Sequence, residues 1–329
     1  MTVSRVINGE SNVRPTTRDQ VNAAITTLNY APNSAARSLA GAGQIRIGLL
    51  YSNPSAGFLS EFLLGSLDQA ARSDVQIVVE KCELGEHEIE VTKHLIAGRI
   101  DGIVLPPPLC EARAVLDLLA EAKIPTVSVA SGVPSDEVLA VRIDDREAAL
   151  TMTRHIMALG HRRIGLITGN PNLSASERRL EGYAAALEEA GIELDQSLIA
   201  HGLYTYRSGL DAAEELLGLA EPPSAIFSSN DDMAAATVAV AHRRGLDVPG
   251  DLTVCGFDDT TLSTTIWPEL TTVHQPIADM SRAALELLLS EIRGARGLDP
   301  SLRHRWLDYT LIRRQSDAAP RQRPRHHRA

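Results

Sequence analysis

The sequence predicts an α/β fold made of two doubly wound, parallel-sheet lobes that follow a small helical head. Three observations predict it. From residue 45 onward, nearly all-apolar strand patterns alternate with helical patterns, which indicates parallel sheets covered on both faces. This alternation occurs as two successive series, and the first 43 residues instead have a helical and basic pattern. Because such sheets bind ligands at the carboxyl ends of their strands, we expect a site there.

The head begins with a short helical stretch, TVSRVI (residues 2–7), which the dipeptide Asn8-Gly9 ends. The next stretch, TTRDQVNAAITTLNY (16–30), places apolar residues at helical spacing behind a threonine N-cap. The segment YAPNSAARSLAGAG (30–43) starts with a helix-breaking proline and ends with glycines. It is too short to be a stable helix alone, so it is predicted to be a tether.

The body contains the two series. The first is predicted to have strands at 45–52, 75–82, 102–108 and 125–131, with helices at about 60–73, 86–98 and 111–122. The second is predicted to have strands at 162–169, 197–202, 224–230 and 252–259, with helices at about 146–159, 176–190, 207–218 and 231–244. The last residues are rich in proline and arginine, which predicts a disordered basic tail at 315–329.

The net charge of −10 is unevenly distributed. Residues 1–46 carry five arginines against two acids, and residues 303–329 carry eight arginines against two acids. Residues 47–302 therefore have a net charge of −19. Because attraction to phosphates dominates nucleic-acid binding, the acidic body should be repelled by DNA, and the head is the part expected to meet it.

The composition fits a globular chain of two ordinary domains, with 329 residues of which 44% are hydrophobic. No apolar run approaches the roughly 18 residues that span a bilayer, and the N-terminus has no hydrophobic signal region, so we expect a cytoplasmic location. Cys82, Cys110 and Cys255 lie far apart without CxxC spacing. They are predicted to be reduced and mostly buried, and we expect no metal site and no cofactor.

Several motifs along the chain form an ordered set. TVSRVING is followed by VRPTTRDQVNAAITTLNYAPNSAARSLAG, and then by MALGHRRIGLITG, SERRLEGYAAALEEAGI, AIFSSNDDMAAA and VCGFDDTTLSTTIWPELTTVHQPI. This set, over about residues 2–313, resembles the LacI/GalR family of sugar- and purine-responsive transcriptional repressors. The resemblance implies a periplasmic-binding-protein-like type I body. It also implies a helix-turn-helix head, from which the first helix is missing, so we expect a mis-assigned start or a truncation.

The resemblance divides the chain into five parts. The expected boundaries are 1–31 for the truncated DNA-binding head, 32–46 for a hinge helix and linker, 47–158 plus 277–304 for the N-terminal effector-binding lobe, 159–276 plus 305–314 for the C-terminal effector-binding lobe, and 315–329 for the tail.

Part of the DNA reading follows from the residues themselves. The start of the helix near Thr2 would point into a major groove, where Arg5 can donate two hydrogen bonds to a guanine edge. Hydroxyl and amide side chains suit contacts to the DNA backbone or base edges. The alternative is a solvated surface helix, which the following tether disfavours. The candidates in the head are Thr2, Ser4, Arg5, Asn12, Thr17 and Arg18.

The resemblance implies that the tether is a hinge helix that orders on DNA. Leucines from two subunits, here Leu39, would enter the minor groove between base pairs and bend the duplex. The alternative is that Leu39 packs against its own domain. Two hinges must meet in either case, which implies a homodimer, with a tetramer left open. The candidates are Asn33, Ala36, Arg37 and Leu39.

The resemblance places a small effector, namely a sugar, sugar acid or sugar phosphate, between the lobes. The chemistry suits a carbohydrate, because carboxylates and amides bind hydroxyls, a guanidinium binds two oxygens and aromatic rings cover apolar sugar faces. The effector-binding candidates are Ser52, Asn53, Phe58, Asp145, Arg179, Tyr204, Asn230, Asp258, Trp267 and Gln275.

Some of these positions have a structural alternative. Asp231 and Asp232 are predicted to cap the following helix rather than to bind an effector. Trp267, before a proline, is equally explained as a packing residue. His161 is predicted to be a structural turn residue before a strand.

An enzyme and a sugar-binding protein without DNA binding are the two alternative function classes. Carboxylate pairs could serve a glycoside hydrolase, but adjacent acids rarely face each other across a substrate. The chain has no GxSxG, HExxH, P-loop or GxGxxG motif, so we expect no enzyme. A soluble sugar-binding protein of the periplasmic type shares the two-lobed body, but it would have no use for Arg5 or for the tether. The expected function is therefore an operator-binding regulator, most simply a repressor of a carbohydrate-utilisation operon, whose effector either releases or promotes DNA binding.

Overall fold

The computed structural model describes residues 6, 13–27, 44–52, 54–83, 85–294 and 303–321. The chain divides into two compact units, Met1–Ile45 and Arg46–Ala329. The described helix of the first unit, α1, is Pro15–Thr27. It begins at a proline, which suits the first helical position because the missing N–H would have no partner there, so it begins ahead of the predicted threonine cap.

The second unit is built from alternating strands and helices. The strands are β1 (Arg46–Tyr51), β2 (Gln76–Lys81), β3 (Gly102–Leu105), β4 (Thr126–Val129), β5 (Leu139–Arg142), β6 (Ile164–Thr168), β7 (Ile199–His201), β8 (Ala225–Ser228), β9 (Thr253–Asp258), β10 (Thr271–His274), β11 (His304–Trp306) and β12 (Thr310–Ile312). The helices are α2 (Ala56–Ser73), α3 (Glu88–Ala97), α4 (Arg113–Glu121), α5 (Asp145–Ala158), α6 (Ser174–Glu189), α7 (Tyr206–Leu217), α8 (Asp231–Arg243), α9 (Leu262–Thr265) and α10 (Ile277–Ile292).

The strands form two sheets with the same topology. Within the described residues, the first sheet has the order β2-β1-β3-β4-β5-β11 and the second has the order β7-β6-β8-β9-β10-β12. The pairings are parallel except for β12, which runs antiparallel to β10. The inner strands β3, β4, β6 and β8 are buried at every residue, as expected when helices cover both faces. Each sheet therefore reverses its strand order beside its first strand, and such a point forms a crevice for ligands.

The chain crosses between the two lobes three times. The crossings lie between β5 and α5, between β10 and α10, and between β11 and β12. Helix α10 returns to the first lobe and packs against α2, where Gly65 lies so close to the carbonyl of Ala278 that a side chain would not fit. Asp145 and Gln275 thus lie at crossings.

The predicted lobe boundary at residue 158 is wrong. Helix α5 belongs to the second lobe, where it packs against α6 at Gly182, whose missing side chain lets the backbone of Arg146 approach. The chain changes lobe before α5 because the apolar face of this helix, including Ala149 and Met152, is buried against that partner. The boundary at 304 is also early, since Arg305 and Trp306 pair with β5 of the first sheet.

The predicted disordered tail begins too early. Residues 315–321 pack on the second lobe, where Ser316 is buried and donates a hydrogen bond to the carbonyl of Val254 at 2.5 Å. The side chain of Thr253 and the backbone of Ala318 exchange hydrogen bonds of 3.0 Å. The segment is ordered because these polar contacts hold it against the first residues of β9, an inner strand of the second sheet. Residues 322–329 of the predicted tail lie outside the described residues.

Two further properties of the described part can be stated. Its helices include none that is long and apolar enough to cross a membrane. Cys82, Cys110 and Cys255 are free and buried, as predicted. Burial raises the pKa of the Cys82 thiol to about 11, which keeps it protonated and unreactive at neutral pH.

Candidate ligand-binding cleft

A cavity lies where the carboxyl ends of the two sheets face each other. Its walls are made of loops that follow strands and of the first two turns of α2 and α6. Its lining residues are Pro54, Ser55, Phe58, Pro107, Pro108 and Ala130 from the first lobe, Asn170, Leu173, Ala175, Arg179, Leu203, Tyr204, Asn230 and Asp258 from the second, and Gln275 from a crossing. Three of them, Ala130, Tyr204 and Asp258, have positive φ without being glycine. Such backbone strain clusters at functional sites.

Arg179, on α6, is the one cation among the described lining residues, and it is held by a buried ion pair. Its Nε and Nη2 both lie 2.8 Å from Oδ1 of Asp145, and its Nη1 donates to the carbonyl of Ser229 at 2.5 Å. The guanidinium also stacks on Phe257, 3.5 Å from the ring centroid. Burial raises the pKa of Asp145, although Arg179 opposes the rise. These contacts hold the guanidinium in place at the cavity wall, which Arg179 lines.

Asp258 and Gln275 form the second polar group of the cleft. Asp258 ends β9 with a φ of 104°, and its Oδ1 accepts a hydrogen bond from Nε2 of Gln275 at 3.1 Å. Burial raises the pKa of Asp258 well above its ordinary value, and the charge of Arg179 lowers it only in part.

Asn230 is the N-cap of α8, which corrects the prediction that Asp231 or Asp232 caps it. Its Oδ1 accepts from the amide of Met233 at 3.0 Å and its Nδ2 donates to the carbonyl of Tyr204 at 3.0 Å. Its amide is thus largely occupied by the fold, although the residue lines the cavity. Asp231 is instead buried behind the cleft, where burial raises its pKa to about 7.

Aromatic rings supply part of the apolar lining. Phe58 is buried and stacks on Phe62, with ring centroids 6.2 Å apart. Tyr204 lies on the opposite lobe and its hydroxyl is 2.7 Å from that of Ser176 on α6. Two apolar walls around a few convergent polar groups are typical of a small-molecule site.

The fold leaves some buried polar atoms at or near the cleft without partners. Oε1 of Gln275, which lines the cavity, and Oδ2 of Asp145 and Oγ of Ser229, which do not line it, have no hydrogen-bond partner within the described residues. Since a buried polar atom without a partner is costly, Oε1 of Gln275 is suited to accept a hydrogen bond from a donor-bearing ligand.

Not every predicted effector-binding residue reaches the cavity. Ser52 follows β1 and Asp145 begins α5, but neither is among the lining residues, and Asn53 lies outside the described residues. Asp145 instead supports the cavity from behind, through its ion pair with Arg179. Trp267 is 74% exposed and does not line the cavity either. Its side chain therefore faces solvent and is not a packing residue either. His161 is structural as predicted, bonding Ser224 and Ala318.

The predicted DNA-binding residues fall mostly outside the described residues. Thr17 and Arg18 lie in the first turn of α1. The predicted residues that lie outside the described residues are Thr2, Ser4, Arg5, Asn12, Asn33, Ala36, Arg37 and Leu39.

Sequence reasoning missed several residues of the cleft. Ser55, the N-cap of α2, donates to Oδ2 of Asp232 across the cavity at 2.6 Å. Pro107 and Pro108 follow β3 and form part of the first-lobe wall. Their signal was present, because proline residues directly after an apolar strand mark the carboxyl edge of the sheet. Among the described residues, no cluster of three or more His, Cys, Asp or Glu side chains could hold a metal ion.

Comparisons with known proteins match the chain over both units. Residues 1–33 match the model of bacterial regulatory proteins of the lacI family, and residues 153–316 match that of a periplasmic binding protein-like domain. Catabolite control protein A of Priestia megaterium is 35% identical over 289 residues, which cover 87% of each chain.

Two solved structures share the architecture. A complex of the transcriptional regulator CelR with cellobiose has a TM-score of 0.77 at 32% identity, covering 96% of this chain and 95% of that one. A lac repressor dimer bound to operator and the anti-inducer ONPF has a TM-score of 0.80 at 27% identity, covering 97% and 95%. The protein described here therefore belongs to the LacI family of bacterial transcriptional regulators.

Proposed function

We propose that this regulator represses a carbohydrate-utilisation operon by binding a palindromic operator as a dimer, and releases it when a sugar-like effector enters the cleft. The observation that carries the effector part is the cavity itself, with Arg179, Asp258 and Gln275 converging between apolar walls. A ligand rich in hydroxyls would satisfy both the open acceptor of Gln275 and the guanidinium, and its apolar faces would lie on Phe58 and Tyr204.

The relatives support this proposal by the molecules they hold. CelR was solved with cellobiose and the lac repressor with operator and an anti-inducer. In this chain the head candidates Thr2, Ser4, Arg5, Asn12, Thr17 and Arg18 would read and anchor DNA, and Leu39 would bend it from the hinge. We place the protein in the cytoplasm with its operator, and we assign it no catalytic activity.

A panel of neutral sugars, sugar acids and sugar phosphates, screened by thermal shift, tests the effector proposal. A ligand at 100 times its Kd should stabilise the folded chain by about 2.7 kcal/mol, which raises the Tm by a few degrees. Arg179→Ala should abolish this shift. The matched control is Arg178→Ala, because Arg178 is the neighbouring arginine and pairs with Glu181 on the same helix. Equal loss of the shift in both variants would refute the site.

The direction of the response is tested on the operator complex. Adding the panel's binding compound should weaken operator binding, typically by about 5- to 150-fold. Tightening would instead make the compound a co-repressor. Arg179→Ala should bind operator as the unchanged chain does while losing the response. A binding protein without DNA affinity is the second candidate, and it predicts no salt-dependent retention of the full chain on DNA.

A further inference from the structure

Glu111 joins the two lobes at one side of the cleft. It is the last residue of a single 3₁₀ turn, Leu109–Glu111, that follows β3 of the first lobe. Its Oε2 accepts a hydrogen bond from the backbone N–H of Ser174 at 2.8 Å, and its Oε1 accepts one from the Ser174 hydroxyl at 2.5 Å. Ser174 is the first residue of α6 in the second lobe. Ser131 of the first lobe donates to the same Oε1 at 2.7 Å and orients the carboxylate.

This carboxylate completes the N-terminus of α6. The first N–H groups of a helix have no partner within it, and a side chain at the N-cap usually accepts from one of them. The N-cap of α6 is Leu173, which makes no side-chain hydrogen bond. The acceptor comes from the opposite lobe instead, and its negative charge is placed favourably at the positive end of the helix dipole.

The backbones of the two lobes also meet here. Ser174 Oγ accepts from the amide of Val133 at 2.8 Å. Gly132 lies so close to the α6 start that an added Cβ would be 2.7 Å from the amide nitrogen of Ala175. This contact leaves no room for a side chain at residue 132. Because one side of the contact belongs to each lobe, it is lost when the lobes move apart.

Helix α6 positions two side chains that line the cavity, its own Arg179 and, through Ser176, Tyr204. Arg179 lies about one and a half turns after Ser174, and Ser176 holds the hydroxyl of Tyr204. We propose that Glu111 is a positioning residue of the effector site, which caps α6 from across the cleft and so couples lobe closure to the placement of Arg179 and Tyr204. The effect on effector binding rests on the proposed function. The effect on lobe closure does not, because closure can be measured on the ligand-free chain.

The hydrogen bond between Ser55 and Asp232 also joins the lobes, so removing Glu111 should loosen one side of the cleft rather than unfold the chain. Opening exposes the Glu111 carboxylate and the α6 amides to water, which can solvate both. Without the carboxylate, the closed state loses its cap and the open state loses nothing. Glu111→Ala should therefore shift the population toward open lobes.

The test measures the distance between spin labels on the ligand-free chain, one on each lobe. Lys93 on α3 and Arg207 on α7 are exposed positions for labels, introduced as Lys93→Cys and Arg207→Cys. The labelled chain is diluted with unlabelled chain so that one dimer holds one pair. Glu111→Ala should lengthen and broaden the distance distribution. Glu111→Gln keeps one acceptor for the Ser174 amide and should lie between Glu111→Ala and the unchanged chain.

Hydrogen exchange supplies a second readout of the cap. Amides of the first turn of α6 should exchange about fivefold faster in Glu111→Ala, as expected for a lost N-cap. The matched control is Glu121→Gln, an exposed carboxylate of α4 in the same lobe. Where Glu111→Ala fails to fold, Ser174→Ala removes the hydroxyl partner from the other lobe and should give the same direction of change.

Unchanged distances in a folded Glu111→Ala or Ser174→Ala chain would overturn the inference. So would a change of the same size in Glu121→Gln. A panel in which no compound binds would instead count against the proposed function, and it would leave the ligand-free distances as the measure of the Glu111 contact.

Discussion

At the scale of single residues, the two partners of the Arg179–Asp145 ion pair respond differently to the loss of the other. A buried carboxyl that loses its partner can take up a proton, and burial already raises the pKa of Asp145. A guanidinium cannot give up its proton in the same way. The two partners are therefore unequal, and the cost of breaking the pair depends on which one is removed.

We expect Asp145→Ala to destabilise the chain more than Arg179→Met. The first leaves an uncompensated buried charge, which typically costs about 3–5 kcal/mol. The second keeps much of the packing on Phe257, and Asp145 becomes neutral. Urea unfolding at pH 7 measures both free energies. At pH 5 the loss in Arg179→Met should shrink further, because protonated Asp145 is the favoured buried form. A larger loss in Arg179→Met than in Asp145→Ala would contradict this account.

At the scale of elements, the segment after β12 acts as part of the second sheet. Asp317 is buried within it, and the described structure gives this carboxylate donors on three sides. His155 Nε2 lies 2.8 Å from its Oδ2, Arg313 Nε lies 3.0 Å away, and Thr271 donates to Oδ1 at 2.5 Å. Although burial raises the pKa of Asp317, these hydrogen bonds lower it to about 2.

The pH dependence of this contact follows from the direction in which the pKa of Asp317 is shifted. A carboxyl whose pKa is lower in the folded chain stabilises the fold above its unfolded pKa, near 4, and loses this contribution as the pH falls toward 2. Asp317→Asn should therefore cost about 2 kcal/mol at pH 7, and the difference from the unchanged chain should fade between pH 4 and pH 2. Urea unfolding across that range measures it. Asp308→Asn, an exposed carboxylate of the same region, should show no such trend.

Elements were predictable to different degrees. Strands such as β6 and β9 could be predicted because all their residues are buried, so their apolar runs are continuous. The lobe to which α5 belongs could not be predicted, because an amphipathic pattern indicates that one face of a helix is buried but not which sheet that face packs on. The order of residues 315–321 could not be predicted, because this segment is held by polar contacts with the starts of β9 and β10, and such contacts leave no apolar pattern.

The same limit applies to the site. Arg179 and Asp258 were placed in the cleft from the family resemblance, and the position of Asp258 at the end of β9 also agrees with the general rule for parallel sheets. Trp267 was misplaced because an aromatic residue before a proline has no pattern that distinguishes a wall from a solvent-facing loop. Glu111 had no signal at all, since its role depends on the approach of a second lobe that is distant in sequence.

At the scale of the whole molecule, the charge distribution limits where DNA can bind. The C-terminal arginines give that region a positive sequence charge, but the described ones have partners in the body. Arg305 pairs with Glu286, Arg314 with Asp259, and Arg321 with Asp247 and Asp251. The positive charge of the first 43 residues, by contrast, belongs to a separate compact unit. We therefore expect the head to carry the phosphate contacts.

The salt dependence of DNA binding tests this expectation. Residues 1–43 hold four arginines, at positions 5, 14, 18 and 37, so a dimer offers eight. On a random-sequence duplex, the slope of log Kobs against log salt should then be no steeper than about −7. Arg18→Ala should reduce the slope by about 2, because each dimer loses two phosphate contacts. Arg321→Ala should leave the slope unchanged, since that arginine is neutralised within the body. A slope steeper than about −7, or an equal effect of Arg321→Ala, would mean that the C-terminal region also contacts DNA.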